Sequence, residues 1–272
     1  QHDTDATKAV TLNGTTGMGI TQKSTGRPIL FNARRYHATA VYPTSFTGLG
    51  FQPDLLWFKS RIIANSHVLY DSVRGANSGV MANATNAADT GASNTQDLSS
   101  FDSDGFTLGT VDNFGSVNEI WTNEGAKIAW AWKAGGAPTT NQASQIRTPT
   151  SGALIKDGSF VTTTDYWPSS DIYPKRQSVS TTGDFSITRY TGTANGTGQT
   201  KTIPHGLSGT PDWVIIKSIT TAYSWIVAHT SHSNNGLLNQ GDAFNAAYTY
   251  GYISARDANH VTTNSGSDGT NY

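Results

Sequence analysis

The sequence contains no cysteine, which excludes disulfides, thiol nucleophiles and thiolate metal sites and leaves packing or assembly to hold the fold. It contains only two glutamates, Glu119 and Glu124, and charged residues make up just 14% of its 272 positions. A shortage of Glu and Lys beside abundant Thr, Tyr and Trp disfavours helix and favours strands joined by Gly, Asn and Ser turns. No run approaches the roughly 18 apolar residues of a membrane-crossing helix, and the first residues lack the basic-then-apolar order of a signal peptide. Membrane insertion is therefore not expected. The net charge of -1, with no Lys/Arg cluster longer than Arg34-Arg35 or Lys175-Arg176, argues against a nucleic-acid partner. There is no Gly-x-Ser-x-Gly elbow, no Gly-rich loop ending in Lys-Ser or Lys-Thr, and "GTTGMG" at 14–19 has the wrong spacing for a dinucleotide fingerprint. No cofactor is expected.

What the sequence does contain is a phrase written twice. "GLGFQPDLLWFKSR" begins at Gly48 and "GLSGTPDWVIIKSI" at Gly206. At the constant offset of 158, residues 48–72 and 206–230 share eight identities, among them Gly48/Gly206, Pro53/Pro211, Asp54/Asp212, Lys59/Lys217 and Ser60/Ser218. "RRY" ending at Tyr36 resembles "TRY" ending at Tyr190, "DGFTL" at 104–108 is matched to "YGYIS" at 250–254, and "NEGAKI" to "SDGTNY". Self-similarity in fixed order over about ninety residues is a tandem duplication.

The period of the phrase gives its structure. Pro suits the first position of a strand, where no ladder donor is needed. "LLWF" and "WVII" are then apolar at every position, so both faces of that strand must be covered. "SHVLYDS" and "SWIVAHT" return after five residues as the second strand of a hairpin, with His67, Leu69 and Asp71 on one face and Val68 and Tyr70 on the other. "IAWAWK" places Ile128, Trp130 and Trp132 on a single face. Short strands at roughly ten-residue spacing predict an all-β chain of two tandem β-sandwich or jelly-roll-like domains. The expected organisation is an N-terminal arm (1–33), a first repeat (34–136), a Pro/Thr/Ser-rich linker (137–182) with a possible hairpin at Asp157-Gly158, and a second repeat (183–272). The second repeat lacks a counterpart of "IAWAWKAGG", a strand that a neighbour could supply by β-augmentation.

Candidate chemistry is sparse. "EIWTNE" approaches the Glu-x-Asp-x-x-Glu of jelly-roll glycosidases, but Trp121 stands where the central Asp belongs, and a regular strand puts Glu119 and Glu124 on opposite faces. Asp102 and Asp104 open a calcium-loop pattern that no distal ligand completes. His229 and His232 lack a convergent third ligand. No catalytic or metal residue is therefore assigned. The aromatics Trp121, Tyr166, Trp167 and Tyr173, outside the expected strands, are the candidates for stacking on sugar faces, against the plainer alternative of core or interface packing.

The order Gly-x-Gly-Phe-x-Pro-Asp-Leu-x-Trp-x-Lys-Ser-Arg, then "SHVLYDSVRGA", "SSFDSDGFTLG" and "AWAWKAGG", resembles a repeat of virion structural, tail-fibre-like proteins of marine tailed bacteriophages. The likeness is close over 36–136, looser over 183–272 and absent from the first thirty residues. It implies a virion-assembled, β-rich module repeated in tandem with no established catalytic residues. Together with the duplication, the low charge and the missing strand, the expectation is a non-enzymatic fibre, adsorption or capsid-decoration component at the virion surface, a homo-oligomer with other virion proteins as partners and, through the candidate aromatics, host surface polysaccharide. The alternatives are a carbohydrate-binding module and, further off, a jelly-roll glycan hydrolase.

Overall fold

A computed structural model describes residues 30–88, 98–109, 125–161, 167–193, 198–241, 244 and 252–265. Every regular element among them is a strand. The first repeat holds β1 (Phe31–His37), β2 (Thr44–Thr47), β3 (Leu55–Ser60), β4 (Val68–Asp71), β5 (Val80–Met81), β6 (Leu98–Asp102), β7 (Gly105–Leu108) and β8 (Ala126–Trp132). They form two antiparallel sheets, β1-β8-β3-β4-β5 and β2-β7-β6. Between the sheets lies a core rich in aromatics, with Phe51, Phe58, Tyr70 and Phe106 almost wholly excluded from solvent and Tyr36 packed edge-on against Phe58 and Phe106. The duplicated phrase supplies its centre. Leu56 and Phe58 of β3 point into this core, while Leu55 and Trp57 point out of the opposite face. In β8 the inward residues are Lys127, Ala129 and Ala131, small except for the lysine, and the large Ile128, Trp130 and Trp132 face outward.

Next come β9 (Leu154–Lys156), β10 (Ser159–Phe160), β11 (Arg176–Val179) and β12 (Ser186–Arg189), in the sheet order β10-β9-β11-β12. The hairpin at Asp157-Gly158 forms, with both residues at positive φ (51° and 73°), the conformation a two-residue turn between strands requires. The described residues of the expected linker, 137–161 and 167–182, thus contribute to a folded layer with its own core of Leu154, Trp167 and Val179.

The second repeat contains β13 (Thr200–Pro204), β14 (Trp213–Ile216), β15 (Ile226–His229), β16 (Gly236–Leu237), β17 (Tyr252–Arg256) and β18 (His260–Asn264). Its sheets are β14-β15-β16 and β13-β18-β17, which repeat β3-β4-β5 and β2-β7-β6. The match extends to a bulge at Leu98/Ser100 in β6 and at Ile253/Ala255 in β17. This corrects one sequence correspondence: "YGYIS" runs into β17 and so answers β6, whereas "DGFTL" is β7 and answers β18. A shared Gly-aromatic-apolar pattern aligned the wrong members of two similar hairpins.

Candidate functional site

Four of the residue pairs that both copies keep can be followed one by one. The serine that ends each phrase builds the turn after the strand: Ser60 Oγ accepts the Ile63 amide at 3.3 Å, and Ser218 Oγ accepts the Thr221 amide at 3.3 Å. The neighbouring lysine ties the same turn, Lys59 Nζ donating to the Ile63 carbonyl and Lys217 Nζ to the Thr221 carbonyl. The aspartate begins the strand, its carbonyl accepting the amide of Ser72 in one copy and of Thr230 in the other. Gly48 and Gly206 both adopt positive φ (92° and 75°), which a side chain would resist. Each of these four kept pairs has a structural task.

The outer faces of the two phrase strands meet. Leu69, Val80 and Ala82 of the first repeat form one buried cluster with Trp225 of the second, and Leu55, Trp57, Ile215 and Leu238 pack around it. The contact is also bonded: Trp225 Nε1 donates to the Met81 carbonyl at 2.8 Å, Lys217 Nζ to the Thr85 carbonyl at 3.2 Å, and the Ala88 amide to the Ile219 carbonyl at 3.0 Å. Burial, with Arg74 nearby, lowers the Lys217 ammonium to about 8. The expectation that both faces of "LLWF" are covered is met, and the cover is the other repeat.

A second polar cluster lies at the start of β3. Asp54, 1% exposed, accepts bonds from Ser72 Oγ (2.7 Å), Ala134 N (2.7 Å) and Gly136 N (3.2 Å). Ser178 of β11 joins the far side, taking the Gly135 amide and donating to the Gly136 carbonyl, so the network fastens the tail of β8 to the next sheet. Burial raises the Asp54 carboxyl above its ordinary value, and the three donors oppose that rise.

Sequence reasoning missed a matched pair. Asn83 Oδ1 accepts the His67 amide and Asn239 Oδ1 accepts the Trp225 amide, both at near 2.9 Å, fixing the start of β4 and β15. Their offset is 156, so a constant offset of 158 passes over them; a two-residue gap after the hairpin would have aligned them.

The candidate residues read from the sequence do not converge. Trp121, Glu119, Glu124 and Tyr166 lie outside the described residues. Trp167 is corrected to a core residue: it is fully buried, and its Nε1 donates to Gln177 Oε1 at 2.9 Å, so no ring face is available to a sugar. Tyr173 is half-buried and packs on Trp167 with ring centres 6.0 Å apart. Asp102 accepts the hydroxyls of Ser100 and Thr107, and the Asp104 carboxylate accepts the amides of Gly48 and Gly50, which makes both of them turn clasps. His229 bonds Ser231, and His232 stacks on Phe244. Among the described residues no group of three His, Asp or Glu could hold a metal ion. A cavity between Ile216, Ile226, Tyr252 and Thr263 is too small for a water molecule.

One family model, described as a domain of unknown function (DUF7483), matches the chain twice, over residues 29–165 and 156–271. No curated protein and no solved structure matches it.

Proposed function

The chain belongs to the DUF7483 family in two tandem copies, and from that premise we propose that it is a non-enzymatic structural component of a bacteriophage particle, working as a multimer at the virion surface. The observation that carries the reading is what the duplication keeps. Residues shared by both copies build turns and strand starts, the outer faces of the two copies pack on each other through residues that differ between them, and the carboxylates read as candidate ligands, Asp102 and Asp104, are consumed in clasps. A fold spent on holding itself together and presenting its rim suits a part of an assembly. The resemblance of "GLGFQPDLLWFKSR" and "AWAWKAGG" to virion repeats supplies the setting.

Mass spectrometry and cryo-electron microscopy of purified particles test this. The chain is expected at a stoichiometry that matches capsid or tail symmetry; a free monomer absent from particles contradicts the proposal. Contact with host polysaccharide, the second element of the reading, rests on Trp121 and Tyr166. A glycan array is expected to lose its signal with Trp121→Ala, and an unchanged signal removes that element. Release of reducing ends from a bacterial polysaccharide, abolished by Glu119→Gln, would overturn the non-enzymatic assignment.

A further inference from the structure

In the first repeat β3 is a central strand. β4 lies on one side and β8 on the other, with Leu55 opposite Trp132 and Ser60 opposite Lys127. Its counterpart β14 has β15 on one side and, among the described residues, no strand on the other. Strand alternation identifies the backbone groups this leaves open. The Asp212 carbonyl accepts the Thr230 amide and so points to the β15 side. The amides and carbonyls of Trp213, Ile215 and Lys217 therefore point away from β15. In the first repeat the equivalent groups of Leu55, Trp57 and Lys59 face β8, in register with the Arg61 amide that donates to the Ala126 carbonyl.

Two other features of the filled copy are unmet in the open one. Asp54 receives amides from the tail of β8, at Ala134 and Gly136, whereas the Asp212 carboxylate is exposed and accepts no hydrogen bond among the described residues. Leu56 and Phe58 are 0% and 2% exposed, while Val214 and Ile216 are only half-buried and Trp213 is 52% exposed. An apolar edge with free backbone groups is a template for another strand.

We propose that the free edge of β14 is a strand-acceptor site, filled by an extended segment of another polypeptide with the chemistry of β8. That chemistry is small residues at alternate inward positions, aromatic residues outward, and a Gly-rich tail whose amides bind the Asp212 carboxylate. The first repeat defines the occupant because it is the same site with its ligand in place. The proposal deepens the assembly reading without depending on it, since strand capture by another chain operates on or off a virion.

The test uses the full chain and a synthetic peptide of residues 125–136, GAKIAWAWKAGG, followed by amide hydrogen exchange. Exchange at Trp213, Ile215 and Lys217 is expected to slow on the order of tenfold or more when the peptide is bound. A peptide N-methylated at the positions of Ile128 and Trp130, whose amides face β3 in the filled copy, is expected to give no slowing. D212A is expected to weaken peptide binding while the chain stays folded, because its carboxylate is exposed. No slowing at β14 with excess peptide, equal slowing with the N-methylated peptide, or slowing confined to β3 would each overturn the site. Undiminished binding to D212A would overturn the role given to its carboxylate. Absence of the chain from virions would leave these results untouched, so the two proposals fail separately.

Discussion

Asp54 and Asp212 hold the same place in the same phrase, yet one is buried under three donors and the other is exposed. The strands they begin differ in the same sense. β3 buries its inward side chains in an aromatic core between two neighbours, whereas β14 faces the smaller cluster of Ile226, Ala228, Ile253 and Val261 and has, among the described residues, a strand on one side only. The second repeat compensates locally: buried Asn235 exchanges hydrogen bonds with both backbone groups of Ile253, stitching one sheet to the other. Identical letters thus do different physical work, with β8 beside the first copy and no counterpart among the described residues of the second. Both copies use the outer face for mutual cover, but through different residues, Leu69 and Val80 on one side and Ile215 and Trp225 on the other.

Substitutions can break this comparison at several strengths. The largest effect is expected for Trp225→Ala, which empties the shared cluster and removes the bond to the Met81 carbonyl; a loss of about 3–5 kcal/mol should appear in denaturant unfolding. Asp54→Ala strands two amides and a hydroxyl in a buried site, and calorimetry should record a loss of about 3 kcal/mol. Asp212→Ala should stay within about 0.5 kcal/mol of the parent. Equal costs for the two aspartates would end the distinction drawn here.

The asparagine pair sharpens it further. Asn239→Ala should cost about 1 kcal/mol, since its site is half-buried, and Asn83→Ala should cost less, since water can replace an exposed acceptor. The smallest effect is in pH. Burial raises the folded-state pKa of Asp54 above its ordinary 3.8, so in the window from 3.8 up to the raised value the folded chain holds a proton that the unfolded chain has lost. Stability should therefore fall as pH rises through that window, with a slope of at most about 1.4 kcal/mol per pH unit. Asp54→Asn should flatten it.

Much of this was legible in the sequence because it is local. Alternation put Val68 and Tyr70 on one face and Leu69 on the other, which the structure places in the core and on the outer face respectively, and unbroken apolarity required a cover for both faces of "LLWF". The Asp-Gly turn between β9 and β10 follows from the backbone those two residues tolerate. What was not legible depends on distance in space. No pattern in "WVII" or "SWIVA" says that the cover is the sister repeat. Trp167 sits in a Pro/Ser-rich stretch that reads as solvated, yet Gln177 satisfies its indole from ten residues away. The difference between Asp54 and Asp212 is made by Ala134 and Gly136, some eighty residues downstream of the first aspartate and without a described counterpart for the second.

The duplicated phrase is a structural unit whose two copies cover each other. A double-mutant cycle with Val80→Ala and Trp225→Ala tests it most directly, because Val80 is 1% exposed in the first repeat and Trp225 meets the carbonyl of the adjacent Met81 from the second. A coupling energy of about 0.5–3 kcal/mol between the two sites is expected. Strict additivity, with each substitution weakening only its own repeat, would contradict it.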